Sequence, residues 1–217
     1  MTAAVLAALL LFPDSAPVEL PFQFDNGHVY LSGRLAGRTV DVLLDSGAGA
    51  TVMDLDLAKS LRLQSAGNVT ARGVGAKEEQ GMLLRDANLE LSGTGQSQRV
   101  LAAVSLAPLA AMEGRAIEVV LGRDFFASRA IQIDYPNRRV RIWPGGEFQQ
   151  PAGVPSIGYR LINNLPHVDA YFEPEPGKRV EVIAMVDTGA TTSATVTARA
   201  SKKLGLAEAL KDTPILP

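Results

Sequence analysis

Cysteine is absent from the sequence. Disulfide staples, thiolate metal centres and a cysteine nucleophile are therefore excluded, although the redox compartment stays open. Histidine is scarce: only His28 and His167 occur, a poor basis for a histidine-built zinc site or an imidazole-centred triad. No excess of one charge exists either, because 21 Lys and Arg stand against 23 Asp and Glu, for a net charge of −2. That balance supplies no electrostatic reason for nucleic acid or an anionic membrane as partner. Long hydrophobic runs are lacking too. The apolar stretch from Ala3 to Phe12 is too short to span a bilayer and has the length of a secretory-signal core. No Lys or Arg precedes it, and Pro13–Pro17 is a poor cleavage site, so a buried N-terminal strand or helix is the rival reading. Residues 1–17 are set apart on this basis as a signal peptide or N-terminal apolar segment. The expected location is periplasmic or secreted, with the cytoplasm as the alternative.

What is present is a chain of 217 residues, 47% of them apolar, enough for two lobes of about a hundred residues each. Beyond residue 17 the pattern is one of short strands. Val29–Leu31 and Val40–Leu44 flank a turn at Gly37-Arg38, a hairpin signal. Further β-type runs lie at Met82–Leu84, Leu89–Leu91, Val100–Leu106, Ile131–Ile133 and Val140–Trp143, separated by Gly, Asn and Ser. Regular short strands with turn signals predict an all-β protein. One helix is expected over Asp54–Leu63, with Leu57 and Leu61 on one face and Asp54 as its cap. Arg138, Arg139 and Arg141 read as a solvated strand edge, and Trp143 as a plug at the rim of the core.

A Gly/Pro-rich polar stretch marks a linker over 146–156, and beyond it the opening of the first unit recurs. Asn26-Gly27-His28-Val29 is echoed by Asn164-Leu165-Pro166-His167-Val168, and Gly37-Arg38 by Gly177-Lys178-Arg179. An apolar strand then leads in each case to an acidic loop, Asp45-Ser46-Gly47-Ala48 and Asp187-Thr188-Gly189-Ala190. The second copy is longer between His and Asp, which a longer hairpin tip at Glu173–Pro176 accommodates. Leu61-Arg62-Leu63 closes the first helix, and Leu204-Gly205-Leu206 its counterpart. Shared features in the same order predict an internal duplication, in which symmetry gives His28 and His167 structural roles. The division is a first lobe over 18–145 and a partial second lobe over 157–217. By the internal measure of the first copy, the second is incomplete.

The paired loops carry the chemistry. A D-[ST]-G-A tetrapeptide arises by chance in roughly one chain in a hundred of this length, so two copies behind apolar strands require a better explanation than a commonplace Asp-Gly turn. Asp at a strand end can project a carboxylate into a cleft. The following Ser or Thr offers a hydroxyl to lock the loop. Gly lets the backbone turn and a second loop approach. By contrast, Gly73-Val74-Gly75 lacks the strand-to-helix setting of a dinucleotide loop.

On these residues the chain resembles the retropepsin-like and pepsin-clan aspartic proteases. The first unit is similar to bacterial retropepsin-like aspartyl proteases throughout. Asp45-Ser46-Gly47-Ala48 matches the catalytic loop and Thr51-Val52 the following Thr-Val. Arg72-Gly73-Val74-Gly75-Ala76 falls where the flap belongs, and Val120-Leu121-Gly122 matches the element behind the catalytic loop. Arg123–Phe126 and Ile131–Tyr135 continue the likeness. Gly49 departs from retroviral members, which have a substrate-holding Asp there. The second unit matches only from Ile162 to Leu206, through Asp187-Thr188-Gly189-Ala190 and Ser193, without a flap or a second hydrophobic-hydrophobic-Gly element. The resemblance implies an acid-protease fold with one complete lobe and one truncated lobe. It further implies an aspartic endopeptidase that acts on peptide or protein substrates, with Asp45 and Asp187 as a water-activating dyad and no metal or organic cofactor. The alternatives are a homodimer pairing two Asp45 loops and a non-catalytic peptide-binding protein of the same fold.

Overall fold

Alternation and turn chemistry produce a chain dominated by strands. The computed structural model describes residues 16–72, 78–91, 97–175, 177–192 and 194–206. Residues 1–15 of the expected signal segment, the flap residues Gly73, Val74 and Gly75, and Ser193 lie outside these residues. In chain order the strands of the first part are β1 Val18–Pro21, β2 Gln23–Asp25, β3 His28–Leu35, β4 Arg38–Leu44, β5 Val52–Asp54, β6 Ser65–Arg72, β7 Glu78–Leu84, β8 Asn88–Leu91, β9 Ser97–Arg99, β10 Ala102–Val104, β11 Val119–Leu121, β12 Arg129–Asp134 and β13 Arg139–Pro144. Three short helices interrupt them: α1 Leu55–Ser60, α2 Ala107–Glu113 and α3 Arg123–Phe126. The second part contains β14 Arg160–Ile162, β15 Leu165–Glu175, β16 Lys178–Met185 and α4 Ala198–Leu204.

A ten-stranded sheet forms the body, in the order β6-β7-β10-β5-β11-β4-β3-β8-β9 with β2 added on β3. β11 enters this sheet parallel to β4, Leu121 beside Leu44, and antiparallel to β5. The segment behind the first acidic loop is thereby woven between the two strands that flank that loop. Alternate residues of β3 and β4 feed one main core, which includes Leu31, Val42, Leu44, Leu57, Leu89, Leu121 and Phe125. A smaller cluster on the opposite face joins Tyr30, Leu43, Leu106, Ile117 and Val120. Asp54 caps α1 by accepting from the N–H groups of Asp56 and Leu57, so the sequence-based cap is the one used.

Three local readings need correction. The arginines after Asn137 do not line a free edge, because β13 is the middle strand of the sheet β1-β13-β12. Arg141 pairs with Glu19 at 2.6 Å, and the Arg138 guanidinium lies 4.9 Å from the Phe24 ring centre. The strand expected over Val100–Leu106 is confined to Ala102–Val104, because Leu106 already caps α2. α2 and α3 were not anticipated. Seven and four residues are too few to display a helical period, and the main clues to α2 are Pro108 near its start and Gly114, left-handed at φ 66°, at its end.

Residues between β13 and β14 form neither strand nor helix and are almost all exposed. Beyond them β14, β15 and β16 make a separate three-stranded antiparallel sheet in sequence order. The two-residue turns β2–β3, β3–β4 and β14–β15 are made by Asn26-Gly27, Ala36-Gly37 and Asn163-Asn164, all at positive φ. This is the twist-matched hairpin geometry that Asn and Gly favour.

Candidate active site

β4 delivers Asp45 and β16 leads to Asp187, and the two loops meet across the boundary between the sheets. The first is fixed from behind: Asp45 N–H donates to Leu121 O at 3.0 Å, and Arg123 N–H to Ala48 O at 2.8 Å. Within the loop, Asp45 Oδ1 accepts from the N–H groups of Gly47 at 2.8 Å and Ala48 at 3.0 Å. Asp187 Oδ1 accepts from Gly189 N–H at 2.9 Å in the matching way.

The loops are joined by a reciprocal set of hydrogen bonds. Ser46 N–H donates to Thr188 Oγ1 and Thr188 N–H to Ser46 Oγ, each at 3.0 Å. Each hydroxyl in turn donates across to the strand that enters the other loop, Ser46 Oγ to Val186 O at 2.8 Å and Thr188 Oγ1 to Leu44 O at 2.9 Å. Ser46 is itself buried, so its donor and acceptor capacities are met inside the protein. This exchange explains why a hydroxyl residue follows each Asp.

The glycines account for the closeness of the carboxylates. A Cβ built on Gly47 would lie 2.5 Å from the Asp187 carboxyl carbon, and one built on Gly189 would strike the Asp45 carboxyl. Neither glycine is at positive φ; each is needed for space. Burial, then the nearby Asp187 charge and a hydrogen bond with its carboxyl, push the Asp45 pKa up to about 6 against the opposing pull of Gly47 and Ala48 N–H. A carboxyl with a raised pKa beside a second carboxyl is suited to holding one proton for two groups.

The remaining site residues divide clearly. Thr51 is buried and sits behind the loop, accepting from Gly122 N–H at 3.2 Å and donating to Asp124 Oδ1 at 2.8 Å. Asp124 Oδ1 also accepts from Thr51 N–H at 2.6 Å, while its Oδ2 accepts from Gln98 Nε2 at 2.8 Å. Gly122 passes against the backbone of Ala50, where a Cβ would be 2.9 Å from Ala50 N. Asp124 and Gln98 were therefore missed as supports, although Asp124 stands two residues after Gly122 of the recognised Leu121-Gly122 pair. Arg72 ends β6, in register with Glu78 of β7. Gly49 has open space at its Cα. Ala190 N–H donates to Asp187 O at 3.4 Å. Among the described residues no strand pairs with the outer edge of β16 in the way that β11 pairs with β4.

Two matched acidic loops on a mostly β scaffold are the arrangement that the resemblance to retropepsin-like aspartic proteases implies. Residues 31–125 match the family described as aspartyl protease. Among solved structures the chain is similar to a retropepsin-like aspartic protease from Rickettsia conorii, at 12% identity and a TM-score of 0.37 over 59% of this chain and 92% of that one. It is also similar to the retroviral protease-like domain of Ddi1 from Leishmania major, at 15% identity and a TM-score of 0.37 over 56% and 98% of the two chains. No curated protein matches the chain.

Proposed function

We propose that this chain is an aspartic-type endopeptidase whose dyad is Asp45 and Asp187, one from each of two duplicated hairpin–loop–helix units. The observation that carries this reading is the reciprocal exchange between Ser46 and Thr188, which brings the two carboxylates together within one chain. A water held between the carboxyls loses a proton to the ionised member and attacks the scissile carbonyl. The protonated member donates a hydrogen bond to that carbonyl, and a proton is then delivered to the departing amine. The proton belongs to the pair, so neither Asp holds one role permanently. Peptide or protein substrate would lie extended beneath the β6–β7 hairpin, adding strand-like hydrogen bonds.

The test is a pair of substitutions in the full chain. Asp45→Asn and Asp187→Asn should each abolish peptide cleavage, by at least about a thousandfold given the weight of a dyad member, with the far-ultraviolet dichroism unchanged. Full activity in Asp187→Asn would instead favour a dimer built from two Asp45 loops.

A further inference from the structure

The turn between β2 and β3 leads into a buried histidine for which the chemistry of the carboxylates has no use. His28 is 1% exposed and touches both units. Its Nε2 lies 2.7 Å from the carbonyl oxygen of Gly189 in the second acidic loop. A carbonyl only accepts, so Nε2 carries a hydrogen and donates it. The other nitrogen, Nδ1, is 3.2 Å from Glu113 Oε2 at the end of α2, off the line of a hydrogen bond and without another polar partner among the described residues. An imidazole protonated only on Nε2 would present the Nδ1 lone pair to a carboxylate oxygen, two acceptors face to face and buried. With one more proton in the pair, the same contact becomes imidazolium against carboxylate and turns attractive.

The other charges around the ring are already engaged. Tyr30 lies edge-on at 6.1 Å, and the Arg115 guanidinium stacks 4.0 Å from the Tyr30 ring centre. Arg115 also pairs with Asp25 on β2, the register partner of His28, at 2.9 Å, and with Asp41 on β4 at 2.5 Å. From the second unit the ring meets Gly189, whose N–H holds Asp187 Oδ1. Around this centre, Asn26 Nδ2 donates to Glu113 O at 2.8 Å, and the turn at Gly27 packs against Thr191. One histidine thus ties the end of α2 and the β2–β3 turn to the loop that presents Asp187. His167, at the corresponding place in the second hairpin, makes a local bond from Nδ1 to Leu165 O at 2.9 Å.

We propose that His28 is a positioning residue: the proton it shares with Glu113 sets how firmly the Asp187 loop is held. With that proton present, the ring is clamped between Glu113 and Gly189 O, and Gly189 N–H stays on Asp187. When the proton leaves, Nδ1 and Oε2 repel and the grip on Gly189 O loosens. The consequence for catalysis rests on the proposed dyad; the coupling between His28 and the loop does not.

Nuclear magnetic resonance of the intact chain tests this without turnover. The ring nitrogens of His28 and the amides of Gly189, Ala190 and Thr191 are followed from about pH 5 to 9, the range in which histidine switches. Both ring nitrogens should be protonated at the acidic end, and the loop amides should shift with the same midpoint as the loss of one ring proton. In Glu113→Gln the side-chain amide can donate to a neutral Nδ1, so that step should vanish from the loop amides while any step owed to the carboxylate pair remains. The proposal is overturned if His28 keeps one protonation state throughout, if the loop ignores its titration, or if Glu113→Gln leaves the step in place. A coupled loop in a protein without peptidase activity would retire the proposed function alone. Activity with an uncoupled loop would retire this inference alone.

Discussion

Gly47 and Gly189 illustrate how a residue can be required by its neighbour's chemistry. Each lies against the carboxyl of the other loop, so even one methyl group must part the two Asp side chains. Under the proposed function, Gly47→Ala should lower cleavage by at least about a hundredfold, since displacement of reacting groups by an ångström costs that much. Overpacking of this kind costs about 1–3 kcal/mol, so the melting temperature should fall only modestly; a variant with full activity would deny that the contact matters. A second prediction concerns Asp45 itself. Its pKa is raised in the folded protein from 3.8 to about 6, so between those values the folded state keeps a proton that the unfolded state has lost. Stability therefore falls as pH rises through that window, and the contribution is fully lost above it. A shift of that size corresponds to roughly 3 kcal/mol as an upper bound. Asp45→Asn, which has no such ionisation, should be more stable than the parent at pH 7 and lose this advantage near pH 4. Denaturant unfolding at the two pH values decides the point, and a difference independent of pH would contradict it.

At the level of elements, the contrast between β4 and β16 is the informative one. Both lead to an acidic loop, yet Val40, Val42, Leu43 and Leu44 of β4 are buried, whereas Ile183, Met185 and Val186 at the end of the second hairpin are 54%, 41% and 43% exposed. The difference follows from topology: β4 lies between β3 and β11, while among the described residues β16 pairs with β15 alone. Edge backbone groups and half-exposed side chains protect amides poorly. Hydrogen exchange should accordingly be much slower at Val42 and Leu43 than at Ile183 and Met185 in the free protein. Equal protection would mean that the second hairpin is covered in solution. Strands β3, β4, β7, β8, β12 and β13 and helix α1 were legible in the sequence because period-two burial, turn residues and a capping Asp are local signals. α2 and α3 were not, being set by short-range caps and tertiary contact. The middle position of β13 was not legible either, because its partner β1 precedes it by more than a hundred residues.

For the whole molecule, the proposed function depends on two distant stretches meeting. Acid–base chemistry between two carboxyls requires no Lewis acid, so peptide cleavage should survive a metal chelator and be blocked by a hydroxyl-bearing transition-state mimic of the statine type, which occupies the place of the attacking water. Loss of activity to the chelator with indifference to the mimic would reject the proposed chemistry. The sequence by itself determined the strand-rich class, the two D-[ST]-G-A loops and the Leu121-Gly122 element, because each is written in adjacent residues with a local conformational demand. Only the tertiary structure decided what the hydroxyls, glycines and His28 touch. Thr188 reaches Leu44 and Ser46 reaches Val186 across more than 130 residues of chain, and His28 finds Glu113 and Gly189 from opposite sides. Such partners are set by the packing of strands and loops remote in sequence, for which hydrophobic periodicity carries no signal.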